Sequence, residues 1–244
     1  MSAPSADAFS VDLVVLAGGR GSRLGGASKP AVTVAGRTLL SRVLDARRFA
    51  RQVVVVGPAS ARPAAGADTA DLLWALEDPP FGGPVAGIAA GLAALAFPRA
   101  EPFPRENAVV VASAPSERAQ LQSREPGLPA GAWVLLLACD LPWAADAAGV
   151  LLAAASELPD DVDGVHLIDG DGRPQWLAGV YRACSLHAAV RRLGPDADGA
   201  SVRNLLAGLT LVGIRDDAGA GSDVDTWEDA AASTARLEDQ AGDA

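Results

Sequence analysis

The sequence contains few of the residues that build cysteine- or histidine-based sites. It has two cysteines and two histidines in 244 residues. No disulfide framework is readable from two cysteines, and neither His166 nor His187 has neighbours at metal-ligand spacing. Aromatic residues make up 5% of the chain and all hydrophobic residues 50%, so the core must consist mainly of alanine, valine and leucine. The shortage of cysteine is typical of a protein from a reducing cytosol.

Long apolar runs and net positive charge are also lacking. The longest weakly polar run, residues 86–97, is too short and too rich in glycine and alanine to span a bilayer. Residues 1–10 have neither the basic segment nor the apolar segment of a signal peptide. The formal net charge is −10, which argues against a nucleic-acid partner or an anionic membrane surface. We therefore expect a cytoplasmic monomer or weak homo-oligomer that binds neither nucleic acid nor membranes.

Lysine is the scarcest charged residue, because Lys29 is the only one in the chain. It follows an apolar run at residues 13–17, typical of a buried strand, and then a glycine-rich stretch. Backbone N–H groups in such a stretch can turn toward an anion, and cationic side chains beside it neutralise phosphate oxygens. The pattern predicts a strand that runs into a phosphate-binding loop. The glycines and arginines of the stretch are Gly18, Gly19, Arg20, Gly21, Arg23, Gly25 and Gly26.

Spacing excludes two other phosphate-binding loops. A Walker loop requires glycine directly before the lysine and serine or threonine after it, whereas Ser28 precedes Lys29 and Pro30 follows it. The dinucleotide fingerprint, counted from Gly19, requires glycine where Leu24 stands. An ordinary glycine-rich turn of an α/β protein is the alternative. The position of the single lysine beside the loop argues against it, since a compact ammonium suits a phosphate.

Hydrophobic patterns along the rest of the chain predict an α/β protein, because strand-like runs alternate with helical periodicity. Residues 1–10 and 237–244 are predicted to be disordered tails, and 11–236 a single domain. Residues 98–131 are predicted to be a proline-rich insertion or loop within that domain. The predicted strands are 13–17, 53–56, 72–76, 133–139, 165–168, 176–181 and 209–214, and the predicted helices are 38–49, 144–157, 186–193, 201–206 and one that ends at residue 95.

Two acidic segments each have two interpretations. Asp140 follows a predicted buried strand, where it is either a Mg²⁺ ligand facing the phosphate loop or the N-cap of the next helix. Asp225 stands three residues before Glu228 and is either a second carboxylate facing the metal or part of a capping box. Asp223 is an alternative source of that second carboxylate. The two roles of Asp225 are compatible, because one residue can serve both.

Taken in order, these segments resemble the molybdenum cofactor guanylyltransferases of the MobA type, within the nucleotidyltransferase superfamily. The resemblance extends over most of residues 12–236. It implies a three-layer α/β/α, Rossmann-like domain with a mainly parallel sheet. It also implies transfer of GMP from Mg-GTP to the terminal phosphate of molybdopterin, with release of pyrophosphate. The expected partners are then GTP and molybdopterin, and the expected cofactor is Mg²⁺. The matching segments are 16–29, 77–78, 83–88, 139–142, 176–182 and 223–226.

The resemblance also indicates candidate site residues. Gly87 falls in the segment that matches the guanine-binding region. Its spacing from Gly91 on a predicted helix fits either a surface for a flat base or close helix–sheet packing. Arg182 and Arg203 are candidate phosphate-binding residues for molybdopterin. The main candidates are Arg23, Lys29 and Asp140 for catalysis, Leu16, Ala17, Gly18, Gly19, Gly21, Asp78, Gly83 and Gly87 for nucleotide binding, and Asp140 and Asp225 for the metal.

Some features depart from the family pattern and keep alternatives open. Pro30 after the lysine is more typical of sugar-phosphate nucleotidyltransferases, and the 98–131 segment is longer than the family leads us to expect. The related cytidylyltransferases usually carry a serine pair after the glycine that corresponds to Gly83, and its absence here favours guanine. The alternatives are a cytidylyl- or other nucleotidyltransferase acting on a different small phosphorylated acceptor, and a non-catalytic nucleotide-binding regulator. The presence of both Lys29 and Asp140 argues against the regulator.

Overall fold

Seven strands form one sheet within the part of the chain that the computed structural model describes, residues 9–18, 24–80, 82–95 and 132–242. Gly19, Gly21, Arg23 and the predicted insertion at 98–131 lie outside those ranges. The strands are β1 (Ser10–Leu16), β4 (Val53–Val56), β5 (Leu72–Ala75), β6 (Ala132–Ala138), β7 (Gly164–Ile168), β8 (Pro174–Arg182) and β9 (Leu211–Arg215), while β2 (Thr33–Val34) and β3 (Arg37–Thr38) form a separate two-stranded hairpin. Across the large sheet the order is β5-β4-β1-β6-β8-β7-β9.

All strands of the large sheet except β8 run in one direction. β1 pairs in parallel with β4 on one side and with β6 on the other, and β4 pairs in parallel with β5. β8 is antiparallel to both β6 and β7, and β9 is parallel to β7. Strands such as β4, a run of four buried valines, suit a parallel sheet that is covered on both faces. The predicted α/β fold with a mainly parallel sheet is confirmed.

Helices cover both faces of this sheet and give the protein three layers. Leu13 and Val15 of β1 join the buried cluster on one face, and Val14 and Leu16 join the cluster on the other, because successive strand residues point to opposite faces. The helices are α1 (Leu39–Val43), α2 (Gly83–Leu95), α3 (Ala144–Ala155), α4 (Ala183–Leu193), α5 (Val202–Leu206) and α6 (Trp227–Gly242). Side chains of α1 and α3 pack on the first face, and those of α2, α4 and α5 on the second.

A third, smaller core packs residues 24–39 against residues 224–230, near the start of α6. Arg42 stabilises the β2–β3 hairpin beside it, since its Nε donates to the Val34 carbonyl at 2.8 Å. The hairpin also contacts α6, because the Ala35 N–H donates to Thr234 Oγ1 at 3.1 Å. The segment after the glycine-rich stretch is therefore packed against the last helix. The buried residues of this core are Leu24, Val32, Val34, Leu39, Val224 and Ala230.

Both predicted disordered tails are shorter than expected, because residue 10 and residues 237–242 belong to regular secondary structure. Ser10 belongs to β1 and pairs with Ala132 of β6. At the other end, α6 continues to Gly242, so residues 237–242 are helical. This last turn is fixed by tertiary contacts: Leu237 packs against the core, and Trp143 Nε1 donates to Gln240 Oε1 at 3.1 Å. None of the helices in the described ranges is long and apolar enough to cross a membrane.

Two further boundaries differ from the predictions in detail. The predicted helix at 38–49 is α-helical only over α1 and then continues as a 3₁₀ helix over Leu44–Phe49. Residues 59–71 are rich in alanine, proline and glycine, which is typical of a loop, but they contain a 3₁₀ helix over Ala59–Ala65. The Asp-Gly pairs of residues 169–172 favour a hairpin, and β7 and β8 do form an antiparallel pair. The assignment of 11–236 to a single domain stays a prediction.

Candidate active site

The candidate site lies where the carboxyl ends of β1 and β6 meet. From β1 the chain adds β4 and β5 on one side and then crosses to place β6 on the other, so the crevice between β1 and β6 is a topological switch point. The pairing extends one residue past the strands, because the Cys139 N–H donates to the Leu16 carbonyl at 3.0 Å. Gly18 and Asp140 therefore leave the same edge of the sheet on neighbouring strands.

Lys29 projects into this crevice and bridges two carboxylates. Its Nζ lies 2.6 Å from Asp140 Oδ2 and 2.5 Å from Asp225 Oδ1. It begins a 3₁₀ helix over Lys29–Ala31, in which the ring of Pro30 is buried. Burial by itself lowers the pKa of Lys29, but the charge of Asp140 and the hydrogen bonds to both carboxylates outweigh it and raise the pKa well above its usual value. The ammonium therefore stays protonated through the neutral range.

Asp223 and Asp225 reach the crevice because the segment between them is fixed to β6. The Val224 N–H donates to the Asp140 carbonyl at 3.0 Å, and the Val224 side chain is completely buried in the third core. Val224 is buried whereas Asp223 and Asp225 on either side of it are not, so both carboxylates stay outside that core. Carboxylate oxygens of Asp140, Asp223 and Asp225 accordingly lie within 4.8 Å of one another.

This carboxylate cluster has the chemistry of a divalent-cation site. Asp140 Oδ1 is buried and has no hydrogen-bond partner among the described residues, although a buried carboxylate oxygen normally has one. Asp223 is exposed, yet it is crowded on its inner side. Partial desolvation there, and then the charges of Asp140 and Asp225, raise its pKa. A hard dication with oxygen ligands would satisfy the orphaned oxygen and relieve the repulsion. The residues present therefore fit Mg²⁺ or a similar ion.

The cap of α6 differs from the predicted one by one position. Thr226 and Asp229 form the capping box: the Asp229 N–H donates to Thr226 Oγ1 at 3.1 Å, and the Thr226 N–H donates to Asp229 Oδ2 at 2.7 Å. The predicted pair, Asp225 and Glu228, does not form this box. Because the threonine provides the cap, the Asp225 carboxylate is directed toward Lys29. The signal was present in the sequence, since Thr-x-x-Asp also has capping-box spacing.

Asp140 does not cap the next helix either. Trp143 holds the N-cap position of α3 and makes no side-chain capping bond. Of the two interpretations of Asp140, the helix-cap interpretation is therefore wrong. Its carboxylate faces Lys29 instead.

Several predicted nucleotide-binding residues line the same edge. Leu16 ends β1 and Ala17 follows it, both in buried positions, and Gly18 is exposed beyond them. A Cβ built on Gly18 would have Glu77 Oε1 as its nearest neighbour, at 3.7 Å. Asp78, next to Glu77, is half-buried after β5. The residue just past the carboxyl end of β1 thus lies close to the acidic pair, Glu77 and Asp78, that follows β5. The contacts of these residues with a nucleotide stay a prediction.

The glycines of α2 fall into two groups. A Cβ on Gly87 would lie 3.3 Å from Leu16 Cδ2, and one on Gly91 would lie 2.7 Å from Val14 Cγ1. Close helix–sheet packing therefore accounts for their spacing. Gly83 is different, because its φ of +87° is left-handed and a Cβ there would meet nothing within 4 Å. The nucleotide contacts proposed for Gly83 and Gly87 stay predictions.

Arg182 lies at the wrong edge of the sheet to bind the acceptor. It pairs with Trp133 at the amino end of β6, seven residues before Asp140, which places the two about 20 Å apart along the strand. Its Nε donates to the Val162 carbonyl at 2.8 Å, and its guanidinium covers the Trp133 ring. The error arises because β8, and not β7, is the strand that runs against the rest of the sheet, and the turn between them did not reveal which one would. Arg203 is exposed on α5, and its role stays a prediction.

Cysteine and histidine take no part in the cluster. Burial raises the pKa of the Cys139 thiol, which points into the core, so the thiol stays protonated. Burial and then the charge of Arg191 lower the pKa of His187 to about 4, and burial lowers that of His166. Both histidines are therefore neutral near pH 7. The described part of the chain holds a single group of three possible ligands, the three aspartates.

Comparisons with known proteins place these features in a family. Residues 13–212 match the family model described as MobA-like NTP transferase domain. A relative named molybdenum cofactor guanylyltransferase from Rhodopseudomonas palustris (strain BisB5) is 44% identical over 92 residues, which cover 36% of this chain and 42% of that protein. One of the same name from Pseudomonas fluorescens (strain SBW25) is 38% identical over 84 residues, which cover 34% and 40%. The chain thus spans about two fifths of the length of these relatives.

Solved structures share the fold at low sequence identity. A 4-diphosphocytidyl-2C-methyl-D-erythritol synthase from Anaerococcus prevotii DSM 20548 is 12% identical with a TM-score of 0.59, over 95% of this chain and 97% of that one. Rv0371c from Mycobacterium tuberculosis H37Rv, solved in complex with manganese, is 18% identical with a TM-score of 0.51, over 91% and 96%. At such identities the likeness establishes the α/β architecture.

Proposed function

Because the chain belongs to the MobA-like NTP transferase domain family, we propose that it transfers GMP from Mg-GTP to the terminal phosphate of molybdopterin and releases pyrophosphate. The names of the two curated relatives support this choice of substrates. The proposed partners are therefore two small molecules, in a cytoplasmic protein that is a monomer or a weak homo-oligomer.

One observation carries the proposal: a lysine and three aspartates converge at the switch point. Asp140, Asp223 and Asp225 offer oxygens within 4.8 Å of one another, and Lys29 bridges two of them. These residues would hold Mg²⁺, which supplies charge neutralisation on the triphosphate and polarises the α-phosphoryl group. Manganese in the complex of the mycobacterial structure is consistent with a divalent ion in this fold.

The chemistry requires alignment and charge neutralisation more than proton transfer. The acceptor is already a phosphate, so its oxygen can attack the α-phosphorus without a strong general base. That P–O bond forms while the bond from the α-phosphorus to the bridging oxygen breaks, and the electron pair leaves with pyrophosphate. Positioned cations stabilise the developing negative charge. A site with no histidine and no reactive thiol suits such a reaction.

Each residue of the crevice then has a role of its own. Lys29 stays protonated. When the nucleotide binds, the ammonium gives up one of its two carboxylate contacts and donates to a phosphate oxygen instead. Gly18 and the glycines beyond it, Gly19 and Gly21, present N–H groups to the phosphates, with Arg23 as a further cation. The guanine lies near Gly83 and Gly87, with Asp78 as a hydrogen-bond acceptor.

Calorimetric titration of the protein with GTP, CTP, ATP and UTP, each with and without Mg²⁺, tests the nucleotide. We expect Mg²⁺-dependent binding of GTP in preference to the other three. Pyrophosphate release on addition of molybdopterin then tests the acceptor. Asp140→Asn should abolish Mg²⁺-dependent turnover, whereas Asp146→Asn, an exposed aspartate on α3, is the matched control and should not.

Other outcomes point to specific alternatives. Preference for CTP would replace guanylyl by cytidylyl transfer, and preference for ATP or UTP would indicate activation of a different phosphorylated acceptor. Binding of a nucleotide without turnover by any acceptor would favour a non-catalytic regulator. Full turnover by Asp140→Asn would contradict the assignment of Asp140 to the metal.

A further inference from the structure

Strand β8 is irregular at the end that lies next to the candidate site. His166 of β7 pairs with Gly179, yet the next residue, Leu167, pairs with Gln175. Residues 176–178 therefore have no partners in β7 and bulge from the sheet on that side. Such bulges redirect side chains and occur often next to active sites.

The antiparallel direction of β8 places this bulge beside Asp140. Ala178 pairs with Leu137 of β6, so Trp176 lies two residues beyond that pair and Asp140 lies three residues beyond it, at the same edge. Neighbouring strands are about 5 Å apart. The bulge thus borders the carboxylate cluster on the side of β6 away from β1 and the glycine-rich loop.

A buried tyrosine holds the bulge in place. The Tyr181 hydroxyl donates to the Trp176 carbonyl at 2.8 Å, and the Tyr181 side chain is completely buried. Its ring crosses Gly179, where a Cβ would lie 2.6 Å from the Tyr181 hydroxyl oxygen. Glycine at 179 is therefore required for the tyrosine to reach back along its own strand. The hydrogen bond satisfies a carbonyl that the bulge removes from pairing with β7.

The Trp176 side chain is half-buried and supported from one side. Its ring centroid lies 4.3 Å from that of His166, with an interplanar angle of 59°. Burial lowers the pKa of His166, so this neighbour is uncharged near pH 7. The ring also packs against the buried cluster on the α2 face and keeps part of its surface exposed. A partly exposed tryptophan can stack on a flat ring.

We infer that Trp176, presented by the β8 bulge and backed by His166, is the platform on which a flat heteroaromatic ring of the acceptor stacks, with Tyr181 as a positioning residue. The inference rests on the proposed function and adds how the acceptor is recognised. It assigns the nucleotide to the β1–β5 side of the cluster and the acceptor ring to the β8 side.

Calorimetric binding of molybdopterin, measured separately from binding of Mg-GTP, tests this assignment. Trp176→Leu is expected to weaken molybdopterin binding about tenfold or more, since an aromatic platform is lost, while the Kd of Mg-GTP is unchanged. Trp176→Phe should retain most of the affinity. Tyr181→Phe keeps the buried ring and removes one hydroxyl, and should weaken molybdopterin binding by about two- to tenfold.

Phe49→Leu is the matched control, because it removes an exposed aromatic ring that precedes β4 at the opposite edge of the sheet. It should change neither Kd. Equal molybdopterin affinity in wild type and Trp176→Leu would overturn the platform and leave the proposed reaction standing. A weakened Kd for Mg-GTP would overturn it by assigning Trp176 to the nucleotide. Binding of Mg-GTP by the wild type without any binding of molybdopterin would refute the proposed acceptor, and this inference with it.

Discussion

Lys29 Nζ lies 2.5 Å from Asp225 Oδ1, although 196 positions separate the two residues in the chain. The contact joins the end of the glycine-rich stretch to the start of α6. Asp140, at the end of β6, accepts from the same ammonium at 2.6 Å. Three distant parts of the chain thus converge on one cation.

Replacing that cation should greatly slow turnover. Lys29→Met is expected to lower kcat by about 10²–10³-fold, because one charged group that stabilises the transition state is removed. The measurement is pyrophosphate release at saturating Mg-GTP and molybdopterin. Arg37→Met, which breaks an exposed ion pair with Asp45, is the control and should retain full activity. Activity of Lys29→Met within about twofold of wild type would exclude a catalytic role for the lysine.

The raised pKa of Asp223 makes stability depend on pH and on divalent ions. Its folded pKa lies above its unfolded value, so ionisation of the carboxylate destabilises the folded protein at neutral pH. This destabilisation fades as the pH falls through the folded pKa and is gone below the unfolded one. Asp223→Asn should therefore raise the Tm at about pH 7 and change it little at about pH 4.

Added Mg²⁺ should raise the Tm of the wild type near neutral pH and raise that of Asp223→Asn less, because the variant lacks one ligand. Thermal unfolding across this pH range, with Mg²⁺ and with a chelator, provides the measurement. A lower Tm of Asp223→Asn at neutral pH in the presence of chelator would contradict the crowding of carboxylates.

Loss of the α6 cap should affect both stability and metal affinity. Thr226→Val removes the acceptor of the Asp229 N–H and should cost about 1 kcal/mol in free energy of unfolding. Because the cap fixes the segment that carries Asp225, Mg²⁺ affinity should fall as well. Ser201→Ala removes the equivalent cap of α5, where Asn204 N–H donates to Ser201 Oγ at 3.1 Å. It should destabilise similarly and leave Mg²⁺ affinity unchanged, as urea unfolding and Mg²⁺ titration will show.

Two glycine-to-alanine variants test whether Gly91 is needed for close packing of α2 on the sheet, since the gain in helix propensity is the same in both. Gly91→Ala places a Cβ 2.7 Å from Val14 Cγ1 and 3.1 Å from Val56 Cγ2, and the overpacking should cost about 1–3 kcal/mol. Gly149→Ala, in α3, meets nothing within 4 Å and should stabilise by up to about 1 kcal/mol. The free energy of unfolding in urea is the measurement. A neutral Gly91→Ala would contradict close helix–sheet packing at that position.

The sequence by itself determined the order of strands and helices along the chain. It also showed which strands are followed directly by an acidic side chain. β4 is a run of four valines, and Asp140 follows an apolar strand, so local hydrophobic pattern sufficed for both. The family resemblance rested on the same local segments. Capping was less well predicted, because Asp225 with Glu228 and Thr226 with Asp229 have the same spacing and only the backbone geometry of α6 selects one of them.

The tertiary structure decided which of these segments meet. The sequence offered Asp225 as a second carboxylate facing the metal but did not predict its direct ion pair with Lys29. That contact depends on Val224 entering a core with residues 24–39. The turn between β7 and β8 indicated that these strands run in opposite directions, but not which of them runs against the rest of the sheet. That choice moves Arg182 to the far edge and Trp176 to the near one. Strand direction and long-range packing depend on the whole sheet, so a local pattern of residues cannot specify them.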